Sequence, residues 1–237
     1  MRGRLYGVGV GPGDPELMTL KGKRILSEVE TIAVPKTAAD RDSLALSIAG
    51  QAVAEGKEVL EFLFPMTYDE ALLQESWEKA VEGIRHRLDQ GKDVAFITLG
   101  DPTVYSTYLY LHHLLHEEGY STEIIPGVTS FCASAAALGI GLGENKESIA
   151  VIPSVYECEN LMEVLKSFET IVLMKVSKSL PRLKQLLEKE GLLDRSALVI
   201  RCGMEDQRLV YDWASLETEK ISYFSTMIVK KSGVIQP

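Results

Sequence analysis

The chain has 237 residues, 46% apolar and 25% charged, and 25 Lys and Arg against 34 Asp and Glu leave a formal net charge of −9. This balance excludes a disordered tail and a basic nucleic-acid binder, and the length suits one large or two compact domains, each able to bury a core. Cys132, Cys158 and Cys202 are widely spaced with no C-x-x-C, which argues against a disulfide framework or a zinc ribbon and predicts a reducing, cytoplasmic setting.

Met1-Arg2-Gly3-Arg4 leads straight into an alternating strand pattern, so no signal peptide is expected. Strands are predicted at Leu5–Val10, Thr31–Val34, Val59–Leu63 and Val94–Leu99. Between the last two, Leu73, Trp77, Ala80, Val81, Ile84 and Leu88 form one face of a long amphipathic helix that ends at Gln90-Gly91. Strand-helix alternation at this spacing implies parallel pairing through crossover helices, an open α/β sheet. A helix over Thr107–Glu118 and a short strand Glu123-Ile124-Ile125 follow. Ile124–Gly143 carries no formal charge and has the length of a bilayer span, yet Pro126-Gly127 breaks it and small residues dominate. It reads as strand, turn and buried helix, with no membrane partner.

A second series then begins, with strands at Ile149–Ile152, Thr170–Leu173, Ala197–Ile200 and Thr226–Val229. Leu161, Val164, Leu165 and Phe168 make a helical stripe between the first two, and Leu180, Leu183 and Leu187 another before the third. The expected organisation is two α/β domains, residues 1–121 and 122–237, with no low-complexity linker.

Gly7-Val8-Gly9-Val10-Gly11-Pro12-Gly13-Asp14 lies between a strand and a helix, where backbone can meet a ligand. It is not the dinucleotide fingerprint: the third glycine of G-x-G-x-x-G is replaced by Pro12 in one frame and Asp14 in the other, and no Walker A loop exists. A nicotinamide-dependent oxidoreductase and nucleotide phosphate binding are thereby disfavoured. What remains is a stiff, bare turn open to a flat ligand, or simply a strand-to-helix turn capped by Asp14. Leu99-Gly100-Asp101-Pro102 ends the fourth strand, the edge at which open α/β sheets bind ligands, and Asp101 supplies a carboxylate. In Pro126-Gly127-Val128-Thr129-Ser130, Thr129 or Ser130 can cap the next helix or offer a hydroxyl to a ligand. Three such turns at three strand ends favour one shared site.

His112 and His116 stand at i, i+4 on a helix, a spacing able to ligate metal, but H-E-x-x-H is absent and no further ligands complete a site, so no protein-bound metal is expected. No G-x-S-x-G elbow is present, which disfavours the common α/β hydrolases. Lys36, Lys175, Lys178 and Arg201 stand near predicted strand ends. Gathered at a cleft on an acidic protein they would suit a polyanionic small molecule rather than DNA.

These turns in this order, Gly9-Val10-Gly11-Pro12-Gly13-Asp14, Gly100-Asp101-Pro102 and Pro126-Gly127-Val128-Thr129-Ser130, resemble those of the tetrapyrrole methylases, S-adenosylmethionine (SAM)-dependent enzymes that modify uroporphyrinogen and corrin precursors. Val34-Pro35-Lys36, Asp101–Thr107, Arg201-Cys202-Gly203-Met204 and Tyr223-Phe224-Ser225-Thr226 are similar to the branch that methylates carbon 20 of precorrin-2 or its cobalt-loaded counterpart in cobalamin biosynthesis. The resemblance implies two α/β domains, normally in a homodimer, with SAM in a cleft between the domains. It implies cofactor contacts at Pro12, Leu99, Gly100, Asp101, Val104, Tyr105, Thr129, Ser130, Met174 and Gly203, with Lys36 meeting carboxylates of the tetrapyrrole.

The uroporphyrinogen methylases carry an aspartate shortly after the second strand that resembles a proton acceptor. Here Val34-Pro35-Lys36 has no carboxylate, so no catalytic base is carried over. Gly203 stands where a threonine was expected, which removes a hydroxyl from that turn. Alternatives are methylation at another ring position, a diphthine synthase-like protein methyltransferase, and a non-catalytic SAM or tetrapyrrole binding module.

Overall fold

Five parallel strands, β1 (Arg4–Gly9), β2 (Thr31–Lys36), β3 (Glu58–Leu63), β4 (Val94–Thr98) and β5 (Ser121–Ile125), form the first sheet in the order β3-β2-β4-β1-β5. The structure is a computed structural model and describes residues 1–38, 40, 42–50, 52–67, 69–153, 158–214, 216, 221–232 and 235. It divides into two compact units, Met1–Thr129 and Ser130–Pro237.

In the first unit α1 (Leu20–Glu28), α2 (Leu44–Ala49), α3 (Glu70–Asp89) and α4 (Tyr108–Glu117) cover both faces of the sheet. Strand side chains alternate between two cores, as the period of two demands. Leu5 and Phe96 pack with Ala80, Ile84 and Leu88 of α3 and Leu111 and Leu115 of α4. Val8, Ile32 and Ile97 pack with Ile25 and Leu26 of α1 and Ala45 and Ile48 of α2. The α3 stripe read from the sequence is the buried one, and Asp69 starts that helix by accepting the N–H groups of Ala71 and Leu72. α2 was not predicted; its signal is Ser43, whose hydroxyl caps Leu46 N–H at 3.4 Å ahead of an apolar hexamer.

The second unit holds β6 (Ile149–Ile152), β7 (Thr170–Met174), β8 (Ser196–Ile200), β9 (Arg208–Val210) and β10 (Ser225–Lys230), with α5 (Ser130–Ala137), α6 (Leu161–Ser167) and α7 (Leu180–Lys189). The sheet order is β6-β7-β10-β8-β9. Only β6 and β7 are parallel; β10 runs antiparallel to both neighbours and β9 antiparallel to β8. All six residues of β10 are buried, as befits a central strand, and the leucines of α6 and α7 pack beneath it. β9 is a short edge strand with no alternating signal, and the sequence reading passed over it.

The boundary expected near residue 122 lies instead at Thr129/Ser130. β5 pairs in register with β1, Arg4 opposite Ser121 and Val8 opposite Ile125, so the segment assigned to the second domain completes the first sheet. Within Ile124–Gly143 the structure has the end of β5, a turn and the eight-residue α5, and no helix among the described residues is long and apolar enough to cross a membrane.

Candidate functional site

In the first unit all five strands run the same way, so their carboxyl ends share one edge, and the three glycine-bearing turns meet there. Gly100 N–H donates to Gly11 O at 2.8 Å and Gly11 N–H returns a bond to Gly100 O at 3.3 Å. Both glycines have left-handed backbone, φ +79° and +74°. The third turn is as close. A Cβ on Gly9 would lie 2.6 Å from Gly100 O and 2.7 Å from Gly127 Cα, and one on Gly127 would lie 2.1 Å from Gly100 O.

Asp101 holds this contact. Its buried carboxylate accepts Gly127 N–H through Oδ2 at 2.9 Å, while Oδ1 accepts Thr103 N–H at 2.8 Å and the Thr103 hydroxyl at 2.5 Å. The carboxylate read as a ligand acceptor thus spends these bonds on the protein and works as a clamp between two turns. Asp14 caps the turn at Pro15–Leu17 by accepting Glu16 N–H, as its strand-to-helix position implied.

Beyond Asp101 the chain offers apolar and aromatic surface. Leu99 and Val104 are half-buried, and Tyr105 is 53% exposed on left-handed backbone at φ +50°. A strained non-glycine residue at a strand end is a common mark of a binding site. Thr98 Oγ1 and Ser106 Oγ lie 2.9 Å apart and buried, and Ser106 accepts Tyr108 N–H, which closes the loop into α4.

Tyr108 is a positioning residue that none of the sequence motifs marks. Its ring fills the space that a Cβ on Gly7 would take, and its hydroxyl donates to Glu123 O at 3.1 Å. Burial pushes that hydroxyl far above the usual tyrosine range. The available signal was a glycine inside a strand, which marks close approach of another group. Lys36 ends β2 with its side chain 12% exposed and an ion pair to Glu61 at 3.0 Å. Pro12 is buried in the first turn and Thr129 is half-buried.

In the second unit β7 and β8 end at the same edge at which the antiparallel β10 begins. Lys175 N–H donates to Ser225 O at 3.0 Å and Arg201 N–H to Phe224 O at 2.7 Å. Lys175 and Arg201 both stand at left-handed φ, +56° and +53°, a strain invisible in their residue types. Met174 precedes the first and Gly203, at φ +76°, follows the second; Gly203 N–H is held by Gln207 Oε1 at 2.7 Å. The Lys175 ammonium lies 5.7 Å from the ring centre of Tyr223, and Arg201 pairs with Asp206 at 2.5 Å. Ser130 is the first residue of α5. Among the described residues no group of three or more His, Cys, Asp or Glu side chains is arranged to hold a metal ion.

The model of the tetrapyrrole (corrin/porphyrin) methylases matches residues 4–215. A Methanocaldococcus jannaschii protein named probable cobalt-precorrin-2 C(20)-methyltransferase is 38% identical over 207 residues, 87% of this chain and 86% of that one. A Salmonella typhimurium protein named cobalt-precorrin-2 C(20)-methyltransferase is 34% identical over 235 residues, 98% of each. Among solved structures, the uroporphyrin-III C-methyltransferase of Thermus thermophilus complexed with S-adenosylhomocysteine shares the fold, with a TM-score of 0.69 at 23% identity over 97% of this chain and 98% of that one.

Proposed function

The chain belongs to the tetrapyrrole (corrin/porphyrin) methylases, and on that premise we propose that it is a SAM-dependent C-methyltransferase that methylates carbon 20 of a precorrin-2-type ring in cobalamin biosynthesis. The observation that carries the reading is the 34% identity to a cobalt-precorrin-2 C(20)-methyltransferase along 98% of both chains. Both relatives act by name on the cobalt-loaded ring, which favours that form as substrate here.

The donor set suits SAM. The turns of the first unit offer bare glycine backbone at 11 and 100, apolar Leu99 and Val104 for an adenine, and the exposed Tyr105 ring, while the sequence has no phosphate loop. Pro12, Leu99, Gly100, Val104, Tyr105 and Thr129 of the first unit would hold it, with Asp101 acting through the turn it clamps; Ser130, Met174 and Gly203 are further candidates on the family resemblance alone. When bound, SAM supplies a methyl group already activated on sulfonium sulfur, so the protein's work is alignment of the ring carbon at about 3–3.5 Å. Lys36 meets a ring carboxylate. The active species is a homodimer working in the cytoplasm on a soluble substrate.

The test is an anaerobic incubation with methyl-labelled SAM and precorrin-2, metal-free and cobalt-loaded in parallel, read by carbon NMR. Label at carbon 20 of the cobalt form is the expected result. Label at another carbon overturns the position, and absence of transfer despite S-adenosylhomocysteine binding points to a protein substrate or a binding module.

A further inference from the structure

The loop from β4 into α4 holds Tyr105 in a backbone conformation that its residue type disfavours, and the next residue, Ser106, buries a hydroxyl against that of Thr98. We infer that the Thr98–Ser106 hydroxyl pair is a positioning device. It keeps Tyr105 in its left-handed backbone and so sets, before any ligand arrives, the place of the ring against which the methyl donor lies. The inference deepens the proposed function and rests on Tyr105 being a donor contact.

Thr98 is the last residue of β4, and its carbonyl accepts Val10 N–H at 3.0 Å, just ahead of the turn at Gly11. Its Oγ1 lies 2.9 Å from Ser106 Oγ, and both residues are buried. Ser106 Oγ also accepts Tyr108 N–H at 3.2 Å, and Ser106 O accepts Leu109 N–H at 3.3 Å. Ser106 is thereby fixed both to the end of β4 and to the first turn of α4. On the other side of Tyr105, Val104 N–H donates to Asp101 O at 3.2 Å, and Asp101 is itself clamped to Gly127. Tyr105 joins these two fixed points at φ +50°, with its side chain turned out so that the residue is 53% exposed.

Left to itself, a non-glycine residue is disfavoured in this region by about 5–30-fold. Each hydrogen bond of a buried hydroxyl is worth a factor of about 2–12. The two at Ser106 together match the preference against the left-handed state, while one alone falls short of it over most of that range. Loss of the Thr98 hydroxyl is therefore enough to release Tyr105, although Thr98 itself lies under the loop and its hydroxyl is spent on Ser106.

The test uses the full chain and S-adenosylhomocysteine as probe, with affinity read by calorimetry and thermal melting to establish that each variant folds. Thr98→Val, which keeps the shape and removes the hydroxyl, should weaken binding by about five- to tenfold, and Ser106→Ala at least as much. Thr98→Ser, which restores the hydroxyl, should stay within about twofold of the parent. In a Tyr105→Ala background, Thr98→Val should cost less than about twofold more, because the residue through which it acts is gone. In ligand-free protein carrying labelled tyrosine, with Tyr105 assigned from Tyr105→Phe, the Tyr105 amide and Cα resonances should move in Thr98→Val and stay in place in Thr98→Ser. A loss that persists undiminished in the Tyr105→Ala background, or Tyr105 resonances unmoved by Thr98→Val, overturns the inference. A parent chain that fails to bind S-adenosylhomocysteine overturns the donor reading and the role of the ring with it, whereas the ligand-free resonances still decide whether the hydroxyl pair holds Tyr105.

Discussion

The Asp101 carboxylate accepts the Gly127 N–H at 2.9 Å and thereby ties the turn after β4 to the turn after β5 across 26 residues of chain. Bonds to a buried charged acceptor are worth about 1.5–3 kcal/mol each. Asp101→Asn keeps the shape and one acceptor oxygen but loses the charge and turns an amide donor toward either Thr103 or Gly127. Urea unfolding should show a loss of about 1–3 kcal/mol, with weaker S-adenosylhomocysteine binding by calorimetry. Unchanged stability would show that the clamp is idle.

Gly127→Ala places a methyl group 2.1 Å from Gly100 O and 2.8 Å from Gly9 Cα, backbone atoms that cannot swing aside. Gly119→Ala, at φ +82° with nothing within 4 Å, meets strain alone. The second change should cost about 1–2 kcal/mol, and the first clearly more, enough to lower soluble yield. Equal melting temperatures for the two variants would contradict the tight meeting of turns.

Donor and ring binding should separate by mutation. Gly100→Leu forces a branched side chain onto a φ of +74° and should abolish S-adenosylhomocysteine binding. Lys36→Ala should raise the tetrapyrrole KM several-fold and leave that binding intact. An effect of Lys36→Ala confined to the donor would remove it from the ring site.

Lys230 ends β10 with its side chain 8% exposed and donates to Gly141 O at 2.8 Å, Glu144 Oε1 at 2.9 Å and Glu147 Oε2 at 3.3 Å. The Glu144 hydrogen bond leads in raising the Lys230 pKa, and the Ser232 hydroxyl leads in holding Glu147 below the usual carboxylate range. Glu147 therefore contributes above the unfolded carboxyl value and loses its contribution as pH falls through its lowered folded value. Lys230 contributes below the unfolded lysine value and loses its share as pH rises through its raised one. Hydrogen exchange at amides 141–147 should be faster in Lys230→Met at pH 7. The gap from the parent should close in acid, below about pH 4, and in base, above about pH 10.4. A gap that stays constant across this range would mean that Lys230 acts by packing alone.

How much could be read beforehand differs from residue to residue. The α3 stripe and the leucines of α6 and α7 were legible because helical amphipathicity is local, set by residues within four positions. The order of the three turns was legible too, since a bare Gly-Pro-Gly or Gly-Asp-Pro at a strand end carries its own backbone restrictions. The function of Asp101 was not, because a carboxylate in a turn looks the same whether it faces a ligand or the N–H of Gly127.

The sequence by itself determined the alternation of strands and helices, the acidic, cysteine-poor character and the ordered turns that mark the family. The tertiary structure alone decided which strands pair. β5 joins β1 across more than a hundred residues, and β10, last in the chain, inserts antiparallel between β7 and β8. Hydrogen bonding along a strand edge is nearly independent of side-chain type, so partner and direction follow from packing of the whole unit rather than from any local pattern. The same holds for the left-handed backbone of Tyr105, Lys175 and Arg201, which their surroundings impose against their own preference.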